Sequence, residues 1–150
     1  MIPKNELMNI FLADDDQDDR SIFKIAFEQT NLHSTLTMFK NGVELMNHLN
    51  NSDAIVPHIL FLDLNMPGKT GAQCLAEIRA CARFRNMSIA IYSTSNSDKD
   101  IEDTLSGGAN IYIHKPNDFE RLKQIIKHIL KINWQYQTSG LNRESFFLSI

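Results

Sequence analysis

The chain has 150 residues, 43% apolar and 22% charged, with a formal net charge of −3. This is the balance of one globular domain long enough to bury its own core, and it leaves no broad basic surface for nucleic acid. No apolar run reaches the roughly 18 residues that a membrane span needs, and the opening MIPKNELMN lacks the apolar stretch of a secretory signal.

In chain order, NIFLA (9–13) predicts a short strand. DDRSIFKIAFEQ (18–29) predicts a helix, with Ile22, Ile25, Ala26 and Gln29 at helical spacing and Asp18 and Asp19 in a first turn that favours acidic charge. STLTMF (34–39) alternates with period two and reads as a strand. NGVELMNHLN (41–50) opens a helix on Asn41 and Glu44, the spacing of a capping box. HILFL (58–62) is a continuous apolar run, as expected of a strand covered on both faces. TGAQCLAEIRACA (70–82) predicts a helix capped by Thr70 with Gln73. SIAIYS (88–93) is a fourth strand, and SDKDIEDTLSGG (97–108) a helix closed by Gly107 and Gly108. NIYIH (110–114) is a fifth strand, and NDFERLKQIIKHILKI (117–132) a last helix capped by Asn117 with Glu120. Five strands alternating with five helices predict an α/β fold, a doubly wound (βα)5 parallel sheet with helices on both faces. Cys74 and Cys81 lie two helical turns apart, too far for a bridge, and read as packing residues in a reducing cytoplasm. The five histidines have no metal-ligand spacing.

The polar residues then fall into place. Asp14, Asp15 and Asp16 end the first strand, Asp63 the third, Ser93 and Thr94 the fourth, and His114-Lys115-Pro116 the fifth. The carboxyl edge of an open parallel sheet is where such folds bind ligands. Two carboxylates about 4 Å apart repel by about 4 kcal/mol at an effective dielectric of about 20, so Asp14, Asp15 and Asp63 together call for a proton or a cation. Oxygen-only donors suit Mg2+. A divalent cation, the Lys115 ammonium and a hydroxyl make a site for phosphoryl oxygens, and an aspartate there can act as the nucleophile that forms an acyl phosphate. Taken singly, each residue has an ordinary structural reading: a solvated acidic loop and helix cap, a surface lysine, a strand-end serine, a packing tyrosine at 112. Asp63 fits that reading least, because a carboxylate directly after Ile-Leu-Phe-Leu is costly unless paired or hydrated.

The acidic pair Asp14–Asp15, LDLNMPG around Asp63, the hydroxyl of Ser93 and the Lys115–Pro116 pair occur in order at four strand ends. In this the chain resembles response-regulator receiver domains of the chemotaxis-regulator type, over roughly residues 8–133. The resemblance implies strand order 2-1-3-4-5 and a set of roles. Asp63 would accept a phosphoryl group from the phosphohistidine of a sensor histidine kinase or histidine phosphotransfer protein. Asp15, Asp63 and the backbone carbonyl of Asn65 would hold Mg2+, with Asp14 acting mainly through a bound water. Lys115 would pair with phosphoryl oxygens, Ser93 would hydrogen-bond one of them, and Tyr112 would be the switch aromatic. The Lys115–Pro116 bond is expected to be cis. Only phosphoacceptor chemistry is implied, without turnover of a separate substrate. YSTS, GANIYIHKP and the tryptophan after the last helix are similar to stand-alone receivers paired with phytochrome-type or hybrid kinases. Thr70 departs from the aspartate common before Gly71, which should affect capping more than chemistry.

Two other classes compete. An aspartyl phosphatase would need a second carboxylate where Asn65 stands, and a flavodoxin-type binder would need Ser, Thr or Gly where DDDQDD stands. The expected organisation is a receiver domain at 1–133 and a tail at 134–150, with no output domain. Output would then pass through docking of a downstream protein on the fourth helix, fifth strand and fifth helix. The apolar tail residues Trp134, Tyr136, Leu141, Phe146, Phe147, Leu148 and Ile150 lead to the expectation that the tail folds back or supports a symmetric homodimer.

Overall fold

A computed structural model describes residues 7–139 and 148–149, with the backbone alone from residue 133 onward. The elements are β1 (Met8–Ala13), α1 (Gln17–Glu28), β2 (Ser34–Phe39), α2 (Gly42–Leu49), β3 (Ile59–Leu62), α3 (Gly71–Arg79), β4 (Ser88–Ser93), α4 (Asp98–Ser106), β5 (Ile111–His114), α5 (Phe119–Ser139) and β6 (Leu148–Ser149). The strands are all parallel, in the order β2-β1-β3-β4-β5-β6. The expected order 2-1-3-4-5 is therefore present. β6 is an addition at the β5 edge, with Ile111 opposite Leu148 and Tyr112 opposite Ser149. The other tail residues from Gly140 lie outside the described residues, as do the side chains of Trp134 and Tyr136.

The period-two alternation of the central strands sends side chains to two cores. Ile10, Leu12, Ile59 and Phe61 pack with Phe23, Ala26 and Phe27 of α1 and Leu122, Ile125, Ile126 and Ile129 of α5. Phe11, Ala13, Leu60 and Leu62 face the other way, onto Leu45, Met46 and Leu49 of α2 and Cys74, Leu75 and Ile78 of α3. Burying each large apolar side chain contributes about 1.5–3 kcal/mol. β3 is buried at all four positions, so nothing at its end can move without disturbing both layers.

Local signals set the helix starts. Thr70 and Gln73 form the full reciprocal capping box. Asn41 accepts from the backbone N–H of Glu44 at 2.7 Å, while the Glu44 carboxylate reaches Lys40 instead of closing the box. Two expectations for α5 are corrected. The capping acceptor is Asp118, which takes the N–H of Arg121 at 3.0 Å; its full negative charge suits a helix N-terminus better than the amide of Asn117. The helix also runs past residue 132 to Ser139, because no glycine or proline interrupts it before Gly140.

The amino ends of β4 and β5 are tied together by one guanidinium. Arg79 donates to the carbonyls of Gly108 at 2.9 Å, Phe84 at 3.1 Å and Met87 at 2.9 Å, and to Asn110 Oδ1 at 3.0 Å. Gly108, at φ +111°, leaves room for the Arg79 side chain where a Cβ would collide with it. At the other end of the sheet, a Cβ on Gly71 would collide with the backbone carbonyl of Asp63, so the first turn of α3 lies directly against the end of β3.

Candidate functional site

The ladder hydrogen bonds continue one residue beyond the strands and fix the acidic residues. The N–H of Asp14 donates to Phe39 O at 3.0 Å, and that of Asp63 to Ala13 O at 3.0 Å. This puts Asp14 and Asp63 side by side on neighbouring strands. Asp14 is fully buried, Asp63 is 5% exposed, and Asp15 is exposed at the mouth. One carboxylate oxygen from each of the three falls within 4.8 Å of the others. Asp14 Oδ1 accepts from the N–H of Asp16 at 3.0 Å. Asp63 Oδ1 accepts from the N–H of Asn65 at 3.3 Å. Asp14 Oδ2 is buried without a hydrogen-bond partner. It lies 2.9 Å from Lys115 Nζ, an ionic contact not aligned as a hydrogen bond.

Lys115 enters from the loop after β5, its N–H held by Ser93 O at 2.8 Å. Its ammonium is 2.9 Å from Asp14 Oδ2, 2.9 Å from Asp19 Oδ2 and 3.6 Å from Asp63 Oδ2, and it lies over the Tyr92 ring at 5.2 Å from the centroid. One cation thus faces three carboxylates, with Asp15 outside them at the mouth, and the electrostatics follow. Burial pushes the Asp63 carboxyl up to about 7; Lys115 works against that and Asp14 adds to it. Burial opposes the charge on Lys115, but Asp19, Asp14 and Asp63 outweigh it and hold the ammonium above its ordinary range. The site has an excess of negative charge that a further cation would relieve. The orphaned oxygen of Asp14, the oxygen-only donor set and the mutual spacing of the three carboxylates all fit a hard divalent ion.

On the far side, Ser93 is buried at the end of β4 and its Oγ accepts from the N–H of Ser95 at 3.1 Å. Tyr112 is 1% exposed, and its hydroxyl donates to Ser95 O at 2.7 Å. The two expected switch residues thus meet in one loop. The Ser95 hydroxyl donates to Asp100 of α4 at 2.6 Å.

Every expected site residue therefore falls at this edge. The Lys115–Pro116 bond does not follow expectation: among the described residues all peptide bonds are trans, the form an X–Pro bond favours by about 0.5–1 kcal/mol. Three participants were missed by sequence reasoning. Asp19 reads only as a first-turn acid that favours the helix dipole, without a clue to its bond with Lys115. Tyr92 reads as an ordinary strand aromatic, and no sequence signal marks it as the floor under Lys115. Asp100 reads as a first-turn acid of α4, without a clue to its bond with Ser95.

Comparisons with known proteins converge on one family. The family model described as the response regulator receiver domain matches residues 10–127. A chemotaxis protein CheY homolog of Campylobacter jejuni is 26% identical over 123 residues, covering 82% of this chain and 92% of that protein. The crystal structure of the phosphorylated cyanobacterial phytochrome response regulator RcpA superposes with TM-score 0.78 at 27% identity, covering 91% of this chain and 98% of that one. The Mn(2+)-bound form of response regulator Rcp1 has the same fold, with TM-score 0.75 at 20% identity and coverage of 90% and 97%.

Proposed function

The chain belongs to the response regulator receiver domain family, and from that premise we propose that it is a phosphoacceptor of a two-component phosphorelay, with Asp63 as the acceptor. The observation that carries the reading is Asp63 itself, a buried carboxylate at the end of an apolar strand, beside Asp14 and 3.6 Å from the Lys115 ammonium. In the reaction an Asp63 oxygen attacks the phosphorus of a phosphohistidine. A P–O bond forms, the P–N bond breaks, and the imidazole leaves with the electron pair and takes a proton. The Asn65 N–H holds one Asp63 oxygen and so orients the other toward the donor. Lys115 offsets the charge on the phosphoryl oxygens, and the Ser93 hydroxyl, which accepts from the Ser95 N–H, can donate its own O–H to a phosphoryl oxygen. Asp14, Asp15, Asp63 and the Asn65 carbonyl would hold Mg2+, which when bound neutralises the carboxylates and the oxygens of the transferring group. The Mn(2+) form of Rcp1, a protein of the same fold, supports a divalent ion here.

The donor would be a sensor histidine kinase or a histidine phosphotransfer protein. Ile22 and Ile25, 45% and 51% exposed on α1, offer it an apolar contact. Output passes to a downstream protein through α4, β5 and α5, the first two of which Ser95, Asp100 and Tyr112 link to the site. A homodimer through the same face and a cytoplasmic location complete the proposal; among the described residues no helix is long and apolar enough to cross a membrane. The test is Mg2+-dependent labelling by a small phosphodonor such as acetyl phosphate. Wild type should label and Asp63→Asn should not. Full labelling of Asp63→Asn, or labelling that ignores Mg2+, would reject the assignment.

A further inference from the structure

Lys115 does not direct its hydrogen bond to the acceptor. Its ammonium has three N–H donors. The one well-aligned bond among the three carboxylates around it goes to Asp19 Oδ2 at 2.9 Å; Asp14 Oδ2 is equally near but misaligned, and Asp63 Oδ2 is at 3.6 Å. The geometry is built on both sides. The N–H of Asp19 is held by the capping carboxylate of Asp16 at 3.0 Å, which fixes the first turn of α1. The lysine backbone is pinned on Ser93, and its side chain is confined to 10% exposure over the Tyr92 ring.

We infer that Asp19 is a positioning residue for Lys115, one that competes for its ammonium with the phosphoryl group that Asp63 accepts. The inference rests on the phosphoacceptor reading. A phosphoryl group brings about −1.5 to −2 charges and three strong acceptor oxygens to Asp63. Bonding to a phosphoryl oxygen on Asp63, whose carboxylate is now 3.6 Å from the ammonium, draws Lys115 away from the Asp19 carboxylate that holds it at 2.9 Å. Asp19 is the contact that yields, because its side chain is 35% exposed and water can replace the lysine. Asp19 thereby weakens the hold of the site on a phosphoryl group, and its side chain turns to water whenever the group is in place.

Beryllium trifluoride with Mg2+, a stand-in for the phosphoryl group on Asp63, gives a direct test by equilibrium titration. Asp19→Asn keeps the shape and the helix turn but makes the acceptor neutral, and should bind the probe about fivefold more tightly than wild type. Asp19→Glu keeps the charge and should stay within about twofold of wild type. Asp18→Asn removes the same charge from the same turn at an exposed position with no bond to Lys115, and should also stay within about twofold. A role confined to folding predicts no tightening, and a general field effect predicts that Asp18→Asn matches Asp19→Asn. Either of those results, or weaker binding by Asp19→Asn, overturns the inference while leaving the phosphoacceptor reading intact. If Asp19→Asn does not fold, Asp19→Ser carries the same expectation. A wild type that binds no probe refutes the phosphoacceptor reading itself, and the competition falls with it.

Discussion

Asp63→Asn should make the metal-free protein more stable, and the gain should depend on pH. Asp63 titrates near 3.8 when unfolded and near 7 when folded, pushed up first by burial and then by Asp14 against the pull of Lys115. Between those values the folded protein binds more protons than the unfolded chain, so stability falls as pH rises through the window. Below it the group is protonated in both states and contributes nothing. Above it the whole penalty stands, at about 1.4 kcal/mol per pH unit, an upper bound of about 4 kcal/mol. Relaxation of the site around the charge lowers the measurable part to about 1–3 kcal/mol. Asparagine has the shape of the protonated acid and escapes the penalty. Urea unfolding in a chelating buffer should therefore show Asp63→Asn more stable than wild type at pH 8, with the gain at least halved at pH 4.5. A mutant no more stable at pH 8, or a gain equal at both pH values, would refute the claim that burial of this carboxylate is paid for in folding energy.

Mg2+ should raise the stability of wild type by about 2.7 kcal/mol at a hundredfold excess over its Kd, measurable as a shift in thermal unfolding, and Asp15→Asn should lose most of that gain. Lys115→Met should destabilise the fold by about 3 kcal/mol at pH 8, since it leaves Asp14 buried without its cation; urea unfolding checks this, and an unchanged midpoint would contradict it. Ser93→Ala should still be labelled by acetyl phosphate but lose phosphorylation-dependent binding of the downstream protein in a pull-down. Gly71→Ala should cost more than about 2 kcal/mol, because the new methyl meets the Asp63 carbonyl, and should slow labelling as well.

The fold was legible wherever one residue type decides a local structure. The apolar runs around Phe11, Phe61 and Ile91 gave the central strands, and Thr70 with Gln73 gave the start of α3. The acidic site was legible because Asp63 contradicts its own strand. What was not legible depends on side chains meeting across the fold. Asn117 and Asp118 are both good caps, and only the path of the chain after Pro116 selects the second. Asp19 and Lys115 are 96 residues apart and meet because α1 and β5 share an edge of the sheet. The pairing of Leu148 with Ile111 needs a chain path that no short pattern encodes.

The four hydrogen bonds from Arg79 have a mechanical consequence. They fasten Gly108 and the amino ends of β4 and β5, at the finish of α4. The start of α4 hangs instead on the Ser95–Asp100 bond, beside the acidic site. The helix is thus a lever with its pivot at the glycine end. Its nine residues span about 13 Å, so a tilt of about 10° carries the site end through about 2 Å while Gly108 stays in place. Displacement is graded along the lever: the charge of Asp98 sweeps furthest, those of Lys99 and Glu102 less, and Ser106 hardly moves.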